Sequence, residues 1–171
     1  MPFECTRDHK VEESVKQHLI SDILYGPAQA MAGSGLADAE AIKACAEEFA
    51  GLRYCIVRQW LLLDVILPAA VERAFTVKGL GTTVLFAQRV VYDSTACLAQ
   101  DTPLLSGLHK RFDDCFFECE QGLFVLAGKG ARKRISLPAL IALEEAMGDV
   151  AVCGSLKGYV TAQGVQMYSQ G

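Results

Sequence analysis

One long apolar series, closed by Pro68, constrains the fold of this chain more than any other feature. Its members recur at spacings of three and four residues: Ile42, Cys45, Phe49, Leu52, Ile56, Trp60, Leu63 and Leu67. This spacing is close to a heptad repeat, which is typical of a helix packed along a neighbour. Asp38 is a suitable N-cap, and Pro68 removes a backbone donor and clashes with the preceding turn. The series therefore predicts one long helix between these two residues.

Two further helices are predicted on either side of this series. Apolar residues at every fourth position predict a first helix that ends near Tyr25, before the breaker Gly26-Pro27, and they are Val11, Val15, Leu19 and Ile23. A short helix is expected after Pro68, and it should end near Val77. Gly79 follows as its expected C-terminal cap.

The remaining segments complete a mainly α fold, a bundle of about five helices in one domain spanning residues 1–171. Helices are predicted from Thr82 or Thr83 to about Asp101, from Thr102-Pro103 to Gly128, and from Ser136 to Gly148. Residues 150–171 are β-branched and aromatic around a glycine-containing turn. They predict a C-terminal β-hairpin, with a frayed helix or an irregular tail as the alternative.

Composition and charge limit the possible partners. Hydrophobic residues make up 51% and charged residues 21% of the chain, so it is globular, with an apolar excess that allows a partner-facing surface. A net charge of −4 excludes a free-standing DNA binder that is basic over the whole domain. The longest apolar run, WLLLDVILPAAV, contains Asp64 and is shorter than the roughly 20 residues of a membrane span. The N-terminus lacks a signal peptide, and we expect a cytoplasmic protein with no membrane contact.

The cysteines predict neither a disulfide framework nor a metal site. Their number is odd, no CxxC pair occurs, and most lie in apolar patterns; they are Cys5, Cys45, Cys55, Cys97, Cys115, Cys119 and Cys153. In a reducing compartment they are expected to be small buried hydrophobic residues. No further ligands stand at metal-ligand spacing, so no metal and no cofactor is predicted.

No catalytic constellation is visible in the sequence. His9 and His18 lie among charged residues and are expected to be solvated, and no serine or cysteine is placed beside a base. The stretch Gly79-Leu80-Gly81 lacks the lysine and the spacing of a phosphate-binding loop. The sequence therefore predicts that the protein is not an enzyme.

A basic cluster is the one local feature that suggests binding. Between Gly128 and Arg134 the chain places four cations among two glycines, and they are Lys129, Arg132, Lys133 and Arg134. Lys110 and Arg111 can extend this cluster. Read as a loop, it could follow a nucleic acid backbone without reading bases, or contact an acidic partner. The alternative is an ordinary solvated loop whose cations favour a helix C-terminus.

The segment from Leu67 to Arg89 resembles a pattern in the small all-helical subunit of type III-B CRISPR effector complexes. The matching residues are Leu67, Pro68, Gly79 and Leu80, with Leu85 and Phe86 adjacent where the family has a Leu-x-Phe step. The resemblance covers about 23 of 171 residues. It implies a non-catalytic subunit that stacks along a ribonucleoprotein filament, with the basic loop facing RNA phosphates and apolar helix faces meeting neighbouring subunits.

These observations favour a non-enzymatic helical subunit of a larger assembly, homo- or hetero-oligomeric, that contacts a nucleic acid backbone through the basic loop. The alternative is a helical ligand-binding module with an apolar pocket lined by Trp60, Phe112 and Phe116. A haem site at His109 is the sharpest version of that alternative. An enzyme whose active residues the sequence does not reveal is the third hypothesis.

Overall fold

The computed structural model describes residues 5–148 and 152–153. Within them the chain forms four helices: α1 (Cys5–Tyr25), α2 (Asp38–Glu48), α3 (Ala69–Val77) and α4 (Leu137–Met147). It also forms nine strands: β1 (Gln29–Ala32), β2 (Tyr54–Ile66), β3 (Thr83–Asp93), β4 (Leu104–Ser106), β5 (His109–Asp113), β6 (Phe116–Cys119), β7 (Gly122–Leu126), β8 (Lys129–Ser136) and β9 (Val152–Cys153). The strands join into one mixed sheet that curls into a half-barrel. The predicted mainly α bundle of about five helices is therefore wrong.

Strand β2 is the hub of this sheet. Its first half runs parallel to β7 and its second half runs parallel to β8, while β3 pairs antiparallel along most of its length. From β7 the sheet continues through β6 to β5, and from β3 through β4 to β9. Strand β1 adds to the outer side of β8. The chain passes from β7 to β8 at residues 127–128, which divides β2 between two neighbours.

The long helix predicted through Ile56, Trp60 and Leu63 is wrong because this segment is a central strand with both faces buried. Gln59 has a positive φ of 53°, which interrupts the side-chain alternation of β2. Consequently Val57 and Trp60 lie in one core cluster, whereas Ile56 and Leu63 lie in clusters of the opposite face. A two-sided apolar strand gives no period of two, and this interruption produced spacings that resemble those of a helix.

The helix predicted after Thr102-Pro103 is also wrong, because this segment forms β4 to β7. In β6 and β7, Phe117 and Phe124 face the interior of the half-barrel, while Phe116 and Leu123 face outward toward α2. The helix was predicted from an apolar series that includes Phe112, Phe116 and Leu123, and these residues lie on both faces of the sheet. The helix predicted from residue 82 or 83 is strand β3, whose first half is fully buried.

Three core clusters share the sheet. The interior of the half-barrel holds Trp60, Leu62, Leu85 and Phe117. On the outer face, α1, α3 and α4 cover one cluster, to which Ile23 contributes from α1. Helix α2 covers the other outer cluster through Ala41 and Cys45. Because each cluster includes residues of β2, the helices and the half-barrel interior are packed on one element.

Ion pairs fix the start of α2 on the sheet. Asp38, the first residue of α2, accepts from Arg58 Nε at 2.6 Å and from Arg89 Nη2 at 3.3 Å. Arg89 also donates to Asp101 at 2.8 Å. Asp38 was predicted to be the N-cap of a long helix, but the N-cap is Ala37, and the helix that starts at Asp38 ends at Glu48. The far end of α2 is thereby held over strands β6 and β7.

Several local predictions are confirmed. Helix α1 ends at Tyr25 and α3 at Val77. Gly79 has a φ of 74°, and the N–H groups of Gly79 and Leu80 donate to carbonyl oxygens in the last turn of α3, as in a Schellman cap. Ser136 caps α4 by accepting from the Ala139 N–H at 3.3 Å. Residues 154–171, the main part of the predicted C-terminal hairpin or tail, lie outside the described residues.

Candidate functional site

The basic run Lys129–Arg134 lies in strand β8 and not in a loop. Arg132 donates to both carboxylate oxygens of Asp64, at 2.8 and 2.9 Å, while Lys133 donates to the carbonyl oxygens of Asp22 and Ile23 at the end of α1. Arg132 and Lys133, two of the four cations, therefore donate hydrogen bonds within the fold, and they do so on different sides of the strand.

Lys110 and Arg111, predicted to extend the cluster, lie in the edge strand β5. Arg111 Nη2 is 3.8 Å from the Asp113 carboxylate, and both side chains are exposed. Charged side chains on an edge strand discourage pairing with another sheet. The six cations belong to two strands at different positions in the sheet order and do not form one loop.

Asp64 organises a polar cluster with Thr83, Arg132 and His109. The Thr83 hydroxyl donates to Asp64 Oδ1 at 2.6 Å, in addition to the paired bonds from Arg132. The Thr83 N–H donates to His109 Nδ1 at 3.4 Å, and the His109 ring packs against Gly81 and, at 6.0 Å between centroids, Phe117. The cluster joins β2, β3, β5 and β8.

The charges of this cluster are set by burial and by its hydrogen bonds. Burial raises the pKa of Asp64, but the hydrogen bonds from Arg132 and Thr83 outweigh it and hold that pKa below its usual value. Burial lowers the pKa of His109, and the charge of Arg132 lowers it further. At neutral pH the cluster therefore contains an ionised Asp64–Arg132 pair and a neutral imidazole. The Nε and Nη2 groups of Arg132 and the Thr83 hydroxyl all donate to Asp64.

A haem-binding helical module at His109 is wrong for this fold. His109 begins the edge strand β5, and its Nδ1 accepts a backbone hydrogen bond. Of the three aromatic residues expected to line an apolar pocket, Trp60 is fully buried and donates to the Ala127 carbonyl oxygen at 3.2 Å. Phe112 packs on the interior of the half-barrel. Only Phe116 lines a cavity described below.

An open cleft of about 570 Å³ lies between the end of α2 and the outer face of β5, β6 and β7. Its lining residues come from the end of α2 with the turn after it, and from the segment β5 to β7: Glu48, Phe49, Leu52, Arg53, Arg111, Asp113, Phe116, Glu118, Glu120, Gln121, Gly122 and Leu123. The alternation of β6 directs Phe116 outward here, while its neighbour Phe117 enters the half-barrel. The cleft and the packed interior therefore lie on opposite faces of the same strands.

The floor of the cleft is apolar and aromatic. The rings of Phe49 and Phe116 meet edge to face with centroids 5.6 Å apart, and Leu123 is half-buried beside them. Phe49 ends α2 by donating its N–H to the Cys45 carbonyl oxygen at 2.8 Å. The chain then turns and leaves Leu52 64% exposed at the mouth. The floor residues Phe49, Phe116 and Leu123 all pack against the core cluster below α2.

The rim of the cleft is predominantly acidic. Four carboxylates line it, Glu48, Asp113, Glu118 and Glu120, together with the guanidinium groups of Arg53 and Arg111. Arg111 lies near Asp113, as described above. Arg53 Nη2 is 4.0 Å from the buried carboxylate of Asp93, which lies outside the cleft lining. Arg111 is also paired in register with Glu118, so the four carboxylates of the rim outnumber its two guanidinium groups.

Among the five cysteines between residues 8 and 148, four are buried as predicted and one is exposed. Cys45, Cys55, Cys115 and Cys119 are buried, and Cys119 contacts Gln121 Oε1 through its sulfur at 3.1 Å, while Cys97 is exposed. Burial raises the pKa of the Cys45 and Cys115 thiols, and nearby carboxylates raise it further. Both are therefore thiols at neutral pH, which makes them poor nucleophiles. Within residues 8–148 no group of three or more His, Cys, Asp or Glu side chains could hold a metal ion.

Residues 32–142 match the model of a family described as a domain of unknown function, DUF6957. The match covers more than half of the chain. This chain belongs to that family. The matched region includes every residue that lines the cleft and all four members of the polar cluster, whereas α1 lies outside it. Comparison with the curated proteins and with the solved structures returns no match.

Sequence reasoning missed the cleft, apart from Phe116. A usable signal was present in residues 116–119, where Phe116 and Glu118 alternate with Phe117 and Cys119. Such alternation is typical of a strand with two different faces. The contribution of Phe49 and Leu52 had no local signal, because it depends on where α2 ends relative to β6.

No helix of the described residues is long and apolar enough to span a bilayer.

Proposed function

We propose that this domain is a binding module that holds a ligand in the cleft between α2 and strands β5 to β7. The observation that supports it is the partly exposed aromatic floor of Phe49 and Phe116 below a cavity of about 570 Å³. Ligand sites commonly measure about 300–1,000 Å³ and combine an apolar lining with a few polar groups. The helical subunit and the helical module expected from the sequence are not part of this proposal.

A ligand on this floor would remove apolar surface from water at little conformational cost. Phe49 and Phe116 are already held by the core cluster below α2, whereas Leu52 is mostly exposed. Burial of apolar surface contributes roughly 25 cal/mol per Å². Because both rings already pack against buried residues, we expect little of this gain to be offset by ordering of the protein.

Titration with a small neutral aromatic probe, 2-phenylethanol, tests the proposal by two-dimensional NMR of the labelled protein. We expect saturable shifts of the amides in residues 48–53 and 111–123. Replacement of Leu52 by Ser should weaken binding without loss of stability, since this side chain is exposed. The matched control is Val77→Ser, at an exposed residue on α3 that does not line the cleft. Shifts that occur elsewhere, or that Leu52→Ser leaves unchanged, would contradict the proposal.

We also propose that the protein works in a reducing compartment such as the cytoplasm. The free, buried thiols of Cys45 and Cys115 support this proposal, because disulfides persist mainly in oxidising compartments. The expected association with protein subunits and the absence of enzymatic activity stay predictions. Sedimentation of the purified protein at several concentrations measures the first directly.

A further inference from the structure

We infer that the ligand of the cleft carries a positive charge next to an apolar group, as in an organic ammonium or guanidinium compound. This inference rests on the proposed function of the cleft and specifies its ligand. The cavity and its aromatic floor define the site, and the charges of the rim then decide which ligand it favours.

The charges of the lining are unbalanced in favour of anions. Arg111 lies 3.8 Å from Asp113 and is paired in register with Glu118 on the neighbouring strand, so one guanidinium group serves two carboxylates of the lining. Arg53 points toward Asp93, whose side chain is fully buried and whose carboxylate also accepts from the Leu98 N–H at 2.8 Å. The lining therefore holds four carboxylates and two guanidinium groups, and within residues 8–148 no ion pair joins three of these carboxylates to a cation: Glu48, Glu118 and Glu120. A bound cation would reduce their mutual repulsion.

Helix α2 adds to this preference through its orientation. Its last residue, Glu48, and its C-cap, Phe49, both line the cleft, so the C-terminal end of the helix borders the site. The aligned peptide dipoles place a partial negative charge of about half an elementary charge at such an end. No lysine or arginine occurs in the last turn of α2 to offset it.

The aromatic floor favours the same ligand class. The faces of aromatic rings attract ammonium and guanidinium groups through their quadrupole. Phe49 and Phe116 both line the cleft and lie 5.6 Å apart between ring centroids, so a ligand in the cleft lies beside both rings. Leu52 and Leu123 provide apolar contact beside them. The cleft therefore combines cation attraction with space for an apolar group.

Three probes of similar shape and different charge test the inference: 2-phenylethylammonium, 2-phenylethanol and 3-phenylpropionate. At neutral pH and low salt, we expect the ammonium to bind at least about fivefold more tightly than the alcohol, because several exposed charge pairs of modest strength act together. The carboxylate should bind most weakly. Raising the salt concentration should reduce the difference between ammonium and alcohol, since exposed charges are screened.

Charge-removing variants locate the effect. Glu118→Gln with Glu120→Gln should lower the affinity for the ammonium about threefold or more and leave that for the alcohol unchanged. Glu48→Gln should act in the same direction from the other side of the cleft. Glu72→Gln, at an exposed carboxylate of α3 that does not line the cleft, is the matched control and should have no effect.

The outcomes separate the two proposals. If the alcohol shifts the cleft amides but the ammonium binds no more tightly, the charge inference is wrong and the binding module stands. The same conclusion follows if the glutamine variants keep the full preference. If none of the three probes shifts the cleft amides, the proposed function itself is wrong, and the inference about its ligand is lost with it.

Discussion

At the scale of single residues, two glycines are required by the rings that lie against them. The His109 imidazole packs directly on Gly81, and the Trp60 indole packs directly on Gly130. A Cβ added at Gly81 would overlap the imidazole, and one added at Gly130 would overlap the indole. Neither glycine is needed for a positive φ. Gly81 lets His109 approach the Thr83 N–H, and Gly130 lets the central tryptophan fill the half-barrel below β8.

We therefore expect Gly81→Ala to destabilise the protein by about 1–3 kcal/mol, because the ring must move in a packed environment. Gly35→Ala is the matched control, since that position has open space and no positive φ, and it should be nearly neutral. Replacing His109 by Ala in the Gly81→Ala background should recover part of the loss. Urea unfolding measures all three, and equal effects at Gly81 and Gly35 would contradict the proposed steric cause.

The polar cluster predicts a loss of stability in acid. His109 and Asp64 both have folded pKa values below their ordinary values, so the unfolded chain binds protons more readily. The contribution of His109 is complete above about pH 6.5 and is lost as the pH falls through its folded pKa. That of Asp64 is complete above about pH 4 and is lost at still lower pH.

Comparison of two variants with the unmodified protein separates these contributions. In His109→Asn the fall in the free energy of unfolding just below pH 6.5 should be smaller, whereas Asp64→Asn should reduce the fall below pH 4. The measurement is urea unfolding at a series of pH values. Identical pH profiles for the His109→Asn variant and the unmodified protein would show that the imidazole is not linked to folding.

At the scale of elements, α1 divides into a packed end and an exposed end. Ile23 is 1% exposed in the cluster shared with α3 and α4, whereas Val15 is 53% and Val11 is 62% exposed. Val11 and Val15 border an apolar groove of about 440 Å³ between α1 and α4. The apolar residues of α1 therefore share one face of the helix, but this face is buried at the C-terminal end and exposed at the N-terminal end.

This division predicts unequal effects along one stripe. Ile23→Ala should cost about 2–5 kcal/mol, as expected for a large-to-small change in a core. Val15→Ala, two turns earlier, should change stability by less than about 0.5 kcal/mol. Thermal and urea unfolding of both variants measure the difference. A cost at Val15 close to that at Ile23 would indicate that the exposed half of α1 is covered in solution.

The strand β8 shows why a basic run need not be a basic surface. A strand directs successive side chains to opposite faces, so Arg132 meets Asp64 while Lys133 reaches the end of α1. Read as a loop, the same residues formed one patch. Their distribution over two faces follows from the pairing of β8 with β2. A local sequence pattern does not reveal this pairing.

At the scale of the whole molecule, β2 connects all the packed layers. It contributes Trp60 to the half-barrel interior, Leu63 to the cluster below three helices, and Ile56 to the cluster below α2. Because these clusters share one backbone, loss of any one should disturb the others. We therefore expect the described part of the chain to unfold as one cooperative unit.

The single tryptophan offers a direct measurement of this cooperativity. Trp60 is fully buried and reports on the half-barrel interior, while far-ultraviolet circular dichroism reports chiefly on the four helices. Urea transitions followed by fluorescence and by circular dichroism should coincide. A helical signal that is lost at lower urea, with Trp60 still buried, would show that the helices form a separate unit.

The sequence by itself determined the features that depend on neighbouring residues. The end of α1 before Gly26-Pro27, the Gly79 cap of α3 and the Ser136 cap of α4 are confirmed, because capping and chain breaking act over one turn. The burial of most cysteines is confirmed too, since it follows from their apolar character.

The tertiary structure alone decided the fold class and the cleft. A strand buried on both faces carries no alternation, so the residues around Trp60 were compatible with a helix until β3, β7 and β8 paired with them. Phe49 and Phe116 are 67 positions apart, and only the packing of α2 on β6 brings their rings to 5.6 Å. Pairing and packing join distant residues, and local periodicity does not record which ones meet.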